Sequence, residues 1–292
     1  TKLSTTIIFH TRYNDKRRFL SETPFIMNST IFKNLKHIVT HIAQKLNLFP
    51  QAKKEGRPLK IKQEDALAFA LYKHKSTRAT KKSVYDDFNL KNICSYKTFV
   101  VSINRIALHA LRILFALCRM GRKDGHLVKY TDATDLPACL NKNAGKHKTM
   151  KGLAAWGRSG KGFYYGLKMT MTRDDDGRLL ALAFSPANGN DREIFRKVNK
   201  DVNGIIVADA GYVSKELERE MTNDKRLIFI KPYKNMKKIA AAWQLFLYNR
   251  RFKIEFDFRN LKLFHGLVSS LPRSVDGYIG NYLFALLSFV LA

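Results

Sequence analysis

Two aspartates stand where apolar, strand-like runs give out: Asp132 follows Val-Lys-Tyr-Thr, and Asp209 follows Ile-Ile-Val-Ala. A carboxylate at a strand end is held rigidly and still reaches solvent, and in open α/β sheets ligands gather outside strand ends. A third set of polar residues lies on a helix read from Trp243 to Phe264. At the helical period Tyr248, Arg251, Glu255, Arg259 and Lys262 fall on one stripe, and Asn249, Lys253, Asp257 and Asn260 on another. Leu247, Ile254, Phe258 and Leu261 form one apolar flank between them, and Leu245, Phe252, Phe256 and Leu263 the other. A surface helix needs one polar face. The Lys253–Asp257 spacing suits a surface ion pair, so the stripe with one carboxylate among cations is expected to line a cleft.

Three carboxylates brought together can hold two divalent cations about 3.5–4 Å apart, one activating a water or a 3′-hydroxyl and the other stabilising the leaving oxygen of a phosphodiester. Arg grips phosphate by a bidentate fork and Lys as a point charge. Such a row fits a DNA strand laid across a metal site.

The elements around these residues divide the chain in two. Residues 1–120 read as helical, with helices expected over 30–48 (Ser29 as cap), 62–75, 80–89 and 96–119 (Ser95 as cap). The short helices between 62 and 108 suit a helix-turn-helix unit, with an ordinary bundle as the alternative. Gln51–Pro58 reads as a loop. Residues 121–292 alternate: strands near 128–131, 163–171 and 179–184, a helix over 191–199, strands at 204–208 and 227–230, and helical sequence from 238 to 268. This order predicts an α/β domain with a mixed sheet. Asp174, Asp175 and Asp176 fall in the turn before Gly177 and are expected to be solvated. Lys146 and Lys148 lie in a basic Gly-containing loop that also holds His147, and Arg158 and Lys161 in another. Both suit phosphate contact.

Composition narrows the partners. The 292 residues carry 53 Lys and Arg against 24 Asp and Glu, a net charge of +29 shared by both halves. Such a charge needs an anionic partner, with nucleic acid first and a membrane surface second. Cys94, Cys118 and Cys139 show no metal-binding spacing, fit a reducing compartment and read as small buried hydrophobes. The apolar run Tyr278–Ala292 is shorter than a membrane span and reads as a buried terminal helix.

The motifs themselves carry a resemblance. Tyr248-Asn-Arg-Arg251-Phe-Lys-Ile-Glu255-Phe-Asp-Phe-Arg-Asn-Leu-Lys262 fits the Y-(2)-R-(3)-E-(6)-K signature of bacterial insertion-sequence DDE transposases at all four positions. Asp209-Ala-Gly-Tyr212 resembles that family's second-aspartate motif, Asp132-Ala-Thr-Asp-Leu-Pro-Ala-Cys139 its first, and Ser185–Asp191 its P-G-N-x-x-D turn. The resemblance implies a ribonuclease H-like fold and metal-dependent cleavage at element ends followed by strand transfer. It implies two Mg²⁺ or Mn²⁺ ions on Asp132, Asp209 and Glu255, with Tyr248, Arg251 and Lys262 on the DNA. It further implies double-stranded DNA as partner, a homodimer on paired ends and a cytoplasmic, membrane-free setting. Trp243 or Trp156 could stack on a displaced base, and the motif fixes neither. Asp135 stands where relatives often have Pro and rivals Asp132, which is preferred because it directly follows the strand-like run. A nuclease that cuts without joining and a non-catalytic DNA-binding derivative are the alternatives.

Overall fold

The structure is a computed structural model describing residues 24–49, 58–231, 241–268 and 272–291. The loop expected at Gln51–Pro58 lies outside them, apart from Pro58. Helix α1 (Pro24–Lys45) starts upstream of Ser29, at a proline, whose fixed φ suits a first helical turn, so Ser29 is not its cap. Then come α2 (Gln63–Lys75), α3 (Lys81–Asp87), α4 (Tyr96–Arg105) and α5 (Ala107–Asp124). Thr80 and Ser95 cap α3 and α4 by accepting from the Ser83 and Thr98 N–H groups. The single helix expected over 96–119 bends at Ile106. The bend lets Ile103 of α4 and Ala110 and Ile113 of α5 face one core. Helices α2, α3 and α4 pack as a trihelical unit, with Phe32 of α1 stacked on Phe69 at 4.5 Å.

The sheet has six strands: β1 (Val128–Pro137), β2 (Ala155–Ser159), β3 (Gly162–Asp174), β4 (Leu179–Pro186), β5 (Gly204–Ala208) and β6 (Arg226–Ile230). β4, β3 and β1 pair antiparallel. β5 then pairs parallel with β1, and β6 parallel with β5. This is the mixed sheet that the order of strands predicts, in the ribonuclease H-like form that the resemblance implies. Strand β2, which pairs with the start of β3, is too short and too poor in β-formers to stand out in sequence. Gly177, at φ +95°, makes the turn from β3 to β4 that other residues rarely adopt.

The two sheet faces hold different layers. Helices α6 (Asp191–Asn199) and α7 (Lys215–Met221) cover one, over Ile206, Ala208, Ile228 and Ile230. On that side buried Asn199 accepts from the Thr131 and Thr172 hydroxyls. The other face, with Tyr130, Met169, Met171, Val207 and Phe229, joins one continuous core with α9 (Phe252–Leu263), α10 (Val275–Val290) and the N-terminal helices. Helix α10 matches the buried terminal helix expected there, and it packs on α2 and α5 as well as α9. Among the described residues one helical stretch, Tyr96–Asp124, is long and apolar enough to cross a membrane by length and composition. It is bent at Ile106 and buries Phe99, Ala110 and Leu114 in this core.

Candidate active site

Asp132 lies inside β1 rather than at its end. The parallel ladder to β5 stops at Thr131–Ala208, while β1 runs on beside β3. Asp132 is thus the first β1 residue past that ladder, and Asp209 the first past β5, so adjacent strands present two carboxylates side by side. Tyr130 and Asp132 share the face turned to α9, because side chains alternate along a strand.

The long helix expected from 243 to 264 is broken. Helix α8 (Ala242–Asn249) ends before Arg250 and Arg251, and α9 starts at Phe252. Three-residue backbone bonds, Arg251 N–H to Tyr248 O and Ile254 N–H to Arg251 O, tighten the joint. Neither Pro nor Gly marks it.

Arg251 is the centre of the site. It is 8% exposed. Its Nη1 donates to Asp132 Oδ2 at 2.7 Å and its Nη2 to Glu255 Oε1 at 2.6 Å, with Asp209 Oδ2 3.9 Å from Nη2. Tyr248 O–H donates to Asp209 Oδ1 at 3.0 Å. The structure therefore brings Asp132, Asp209, Glu255, Tyr248 and Arg251 together around one guanidinium. Lys262 lies one step along the same side and donates to Asp135 Oδ1 at 2.8 Å, so the rival aspartate has a lysine of its own. Arg259 is exposed on α9. Lys146, Lys148, Arg158 and Lys161 are exposed on the loop after β1 and on the β2–β3 hairpin, and join none of these acids; Arg158 lies over the Phe163 ring at 5.7 Å. Trp156 and Trp243 are both about half exposed.

Burial sets the electrostatics. It pushes the Asp132 carboxyl up to about 6 against the pull of Arg251. Burial works against the Arg251 charge, but Asp132, Asp209 and Glu255 more than offset it. Burial and the neighbouring Asp209 carboxylate raise the Tyr248 hydroxyl. Asp132 is the enclosed member of the trio, whereas Asp209 and Glu255 stand at the lip. The donors are all carboxylate oxygens, the set that suits Mg²⁺ or Mn²⁺. Among the described residues the acids do not close into a ready-made ion shell; the guanidinium lies between them.

Three further sequence expectations are corrected. Asp174 and Asp175 are not solvated. Asp174 is fully buried and accepts from the His126 and Arg178 N–H groups, and Asp175 accepts from Tyr130, Arg250 and Lys253; Asp176 alone faces solvent. Lys253 and Asp257 are not a surface pair. Lys253 goes to Asp175 at 2.7 Å, and Asp257 to Arg173 at 2.8 Å. Finally, Phe252, Phe256 and Leu263, one apolar flank of α9, are at least half exposed, while Arg251 and Lys262 of one polar stripe and Lys253 and Asp257 of the other turn toward the sheet. A helical wheel gives angles, not the direction of the core, and the partners at the end of β3 and in the turn after it lie some 75 to 84 residues away in sequence.

Comparison with known proteins fits this geometry. The solved structure described as a cryo-EM structure of piggyBac transposase synaptic complex with hairpin DNA is similar in fold, with a TM-score of 0.51 and 10% sequence identity, covering 90% of this chain and 73% of that one. No match was found among curated protein sequences. The family profile described as "Transposase DDE domain" matches residues 120–274, just over half of the chain and all three acids, and the chain belongs to that DDE transposase family.

Proposed function

We propose that this transposase cuts phosphodiesters at the ends of a DNA element in a metal-dependent reaction and joins the freed 3′-hydroxyl to target DNA. The observation that carries the proposal is the meeting of Asp132, Asp209 and Glu255, from β1, the end of β5 and the first turn of α9, on one guanidinium. These three would hold two Mg²⁺ or Mn²⁺ ions. When bound, the ions would supply Lewis-acid stabilisation of the phosphorane-like transition state and a nucleophilic oxygen at neutral pH.

The chain's own part is placement. Asp132 is fixed by its pairing with Met171 of β3, and Ala133 N–H donates to its Oδ1 at 2.8 Å. Arg251 keeps three like charges together before the ions arrive. Its Nε–H is buried without a hydrogen-bond partner, an unsatisfied donor at the centre of the trio. Tyr248 and Lys262 extend the row along which the strand would lie, with Arg259 beyond them. DNA as partner is supported by the net charge of +29 and by the DNA held in the piggyBac complex. Processing two ends together implies a homodimer on paired ends. We assign residues 1–120 to end recognition and assembly, and 121–292 to catalysis.

The test is a nicking and joining assay on end-bearing DNA with Mg²⁺ or Mn²⁺. Wild type should cut and join. Glu255→Gln should lose cleavage by about 10³-fold, the scale of several kcal/mol of transition-state stabilisation, with DNA affinity kept. Cutting without joining would make the protein a nuclease, and near-normal cutting by Glu255→Gln would remove the trio from the chemistry.

A further inference from the structure

Asp175 lies in the turn between β3 and β4, outside the signature motifs, yet three side chains converge on its carboxylate. Tyr130 O–H donates to Oδ1 at 2.9 Å, Lys253 Nζ to Oδ1 at 2.7 Å, and Arg250 Nη2 to Oδ2 at 2.7 Å. Its own N–H is bonded to Val128 O, and Lys253 also reaches its carbonyl oxygen. The side chain is 13% exposed, so these are sheltered charge-assisted bonds rather than a loose surface pair.

What those donors flank is Arg251. Arg250 and Arg251 are the two residues of the joint between α8 and α9, and Lys253 is the second residue of α9. Consecutive helical side chains point about 100° apart. Here one guanidinium is fastened to Asp175 and the next to Asp132. The two anchor points share one frame, because Tyr130, which holds Asp175, and Asp132 are neighbours on the same face of β1, roughly 6–7 Å apart along the strand. Two fastenings on one frame fix both the rotation of the first turn of α9 and its height above the sheet. Glu255 sits in that turn.

We propose that Asp175 is a positioning residue for this site: by holding Arg250 and Lys253 it sets the α8–α9 joint so that Glu255 is presented to Asp132 and Asp209, the acids with which it would share a divalent cation. The proposal rests on the metal-dependent reading above. The body of α9 is secured independently, by buried Ile254, Phe258 and Leu261 and by the Arg173–Asp257 pair, so loss of Asp175 leaves the helix docked and disturbs its first turn.

The experiment compares wild type, Asp175→Asn, Arg250→Ala and the double variant. Three quantities are measured: Mn²⁺ affinity of the DNA-free protein by electron paramagnetic resonance, the Mg²⁺ concentration for half-maximal cleavage, and amide hydrogen exchange across residues 250–256. Asp175→Asn should weaken Mn²⁺ binding and raise the Mg²⁺ requirement by about tenfold, the lower end of what lost outer-shell support costs a metal site. It should also speed exchange in that turn. Arg250→Ala should act in the same direction, and the double variant should be little worse than Asp175→Asn, because the two residues form one contact. A merely structural role would lower the amount of folded protein and leave metal affinity and metal dependence as they were. Should Asp175→Asn fail to fold, Arg250→Ala and Tyr130→Phe carry the same comparison. Unchanged Mn²⁺ affinity and Mg²⁺ dependence in a folded variant overturn the proposal, whatever the exchange shows. A wild type that neither binds Mn²⁺ nor cuts DNA overturns the metal-dependent reading itself, and with it the role of Asp175.

Discussion

Arg251 Nη1 and Asp132 Oδ2 meet at 2.7 Å, joining the break between two helices to the middle of the central strand. The contact is enclosed, with Arg251 at 8% exposure, so neither charge is well hydrated. Removing one partner of such a pair leaves the other uncompensated, at a cost of about 3–5 kcal/mol. Arg251→Ala should therefore lower the unfolding midpoint of the DNA-free protein well beyond what an exposed lysine would, with Lys142→Ala as the reference. Divalent cation should then restore it. Mn²⁺ should raise the midpoint more in Arg251→Ala than in wild type, because the ion takes over the neutralisation of three carboxylates. Equal Mn²⁺ shifts in the two proteins would show that the guanidinium does not share their space with the ion.

The rivalry between Asp132 and Asp135 can be decided by single substitutions. Asp132 touches the guanidinium that Glu255 and Asp209 also face, whereas Asp135 is occupied by Lys262 at 2.8 Å. Asp132→Asn should cost about 10³-fold or more in cleavage, several kcal/mol. Asp135→Asn should stay within about tenfold, through a less well held Lys262. Single-turnover cleavage on the same DNA checks both, and a larger loss at Asp135 would exchange their roles.

Much of this arrangement could be read from residues alone, for reasons that also explain the misses. Apolar runs such as Gly204–Ala208 and Leu179–Phe184 announce strands because burial on both faces needs them. Asp132, Asp209 and Glu255 come together because Asp132 stands where the ladder between β1 and β5 stops, Asp209 follows the last residue of β5, and Glu255 lies in the first turn of α9. The joint at Arg250 and Arg251 left no local mark, since its cause is two long-range ion pairs rather than a helix-breaking residue. The same holds for Asp174 and Asp175. Three acids before a glycine spell an exposed turn until Tyr130, Arg250, Lys253 and the His126 amide arrive from elsewhere in the chain. The wheel likewise separated the stripes of α9 without showing that Phe252 and Phe256 would face outward.

The exposed cations of the loop after β1 and of the β2–β3 hairpin should contribute to DNA affinity by counterion release. Each phosphate contact adds about 0.9 to the slope of log K against log salt on duplex DNA. Replacing Lys146, Lys148, Arg158 and Lys161 together by Ala should make that slope shallower by about 2–4, with little effect on folding because all four are exposed. Affinity would be measured between 50 and 300 mM salt by fluorescence anisotropy. A parallel slope in the quadruple variant would place the DNA elsewhere on the protein.

The segment that ends α9 is clamped to the N-terminal helices through groups that titrate. His74 Nδ1–H donates to His265 O at 2.6 Å, and the His265 ring faces the Ser288 hydroxyl at 3.2 Å. Burial, then the nearby Lys75 charge, lowers His265 to about 4, and burial with Lys73 lowers His74 well below its ordinary value. Both imidazoles are neutral in the fold and bind protons more readily in the unfolded chain. Their contribution is complete above about pH 6.5 and is lost as pH falls from there toward 4, by up to about 3 kcal/mol for His265. Asp132 and Asp257, both raised to about 6 by burial, act in the opposite sense over the same interval, because the folded protein takes up their protons first. The raw pH curve therefore mixes opposing slopes. The difference between wild type and His265→Gln isolates the histidine, since the carboxylates are common to both proteins. Urea unfolding of the pair at pH 7.5, 6 and 5 should show His265→Gln less stable at pH 7.5 and converging on wild type as the pH drops. A gap that stays constant with pH would mean that His265 holds the clamp by shape alone and takes up its proton equally in both states.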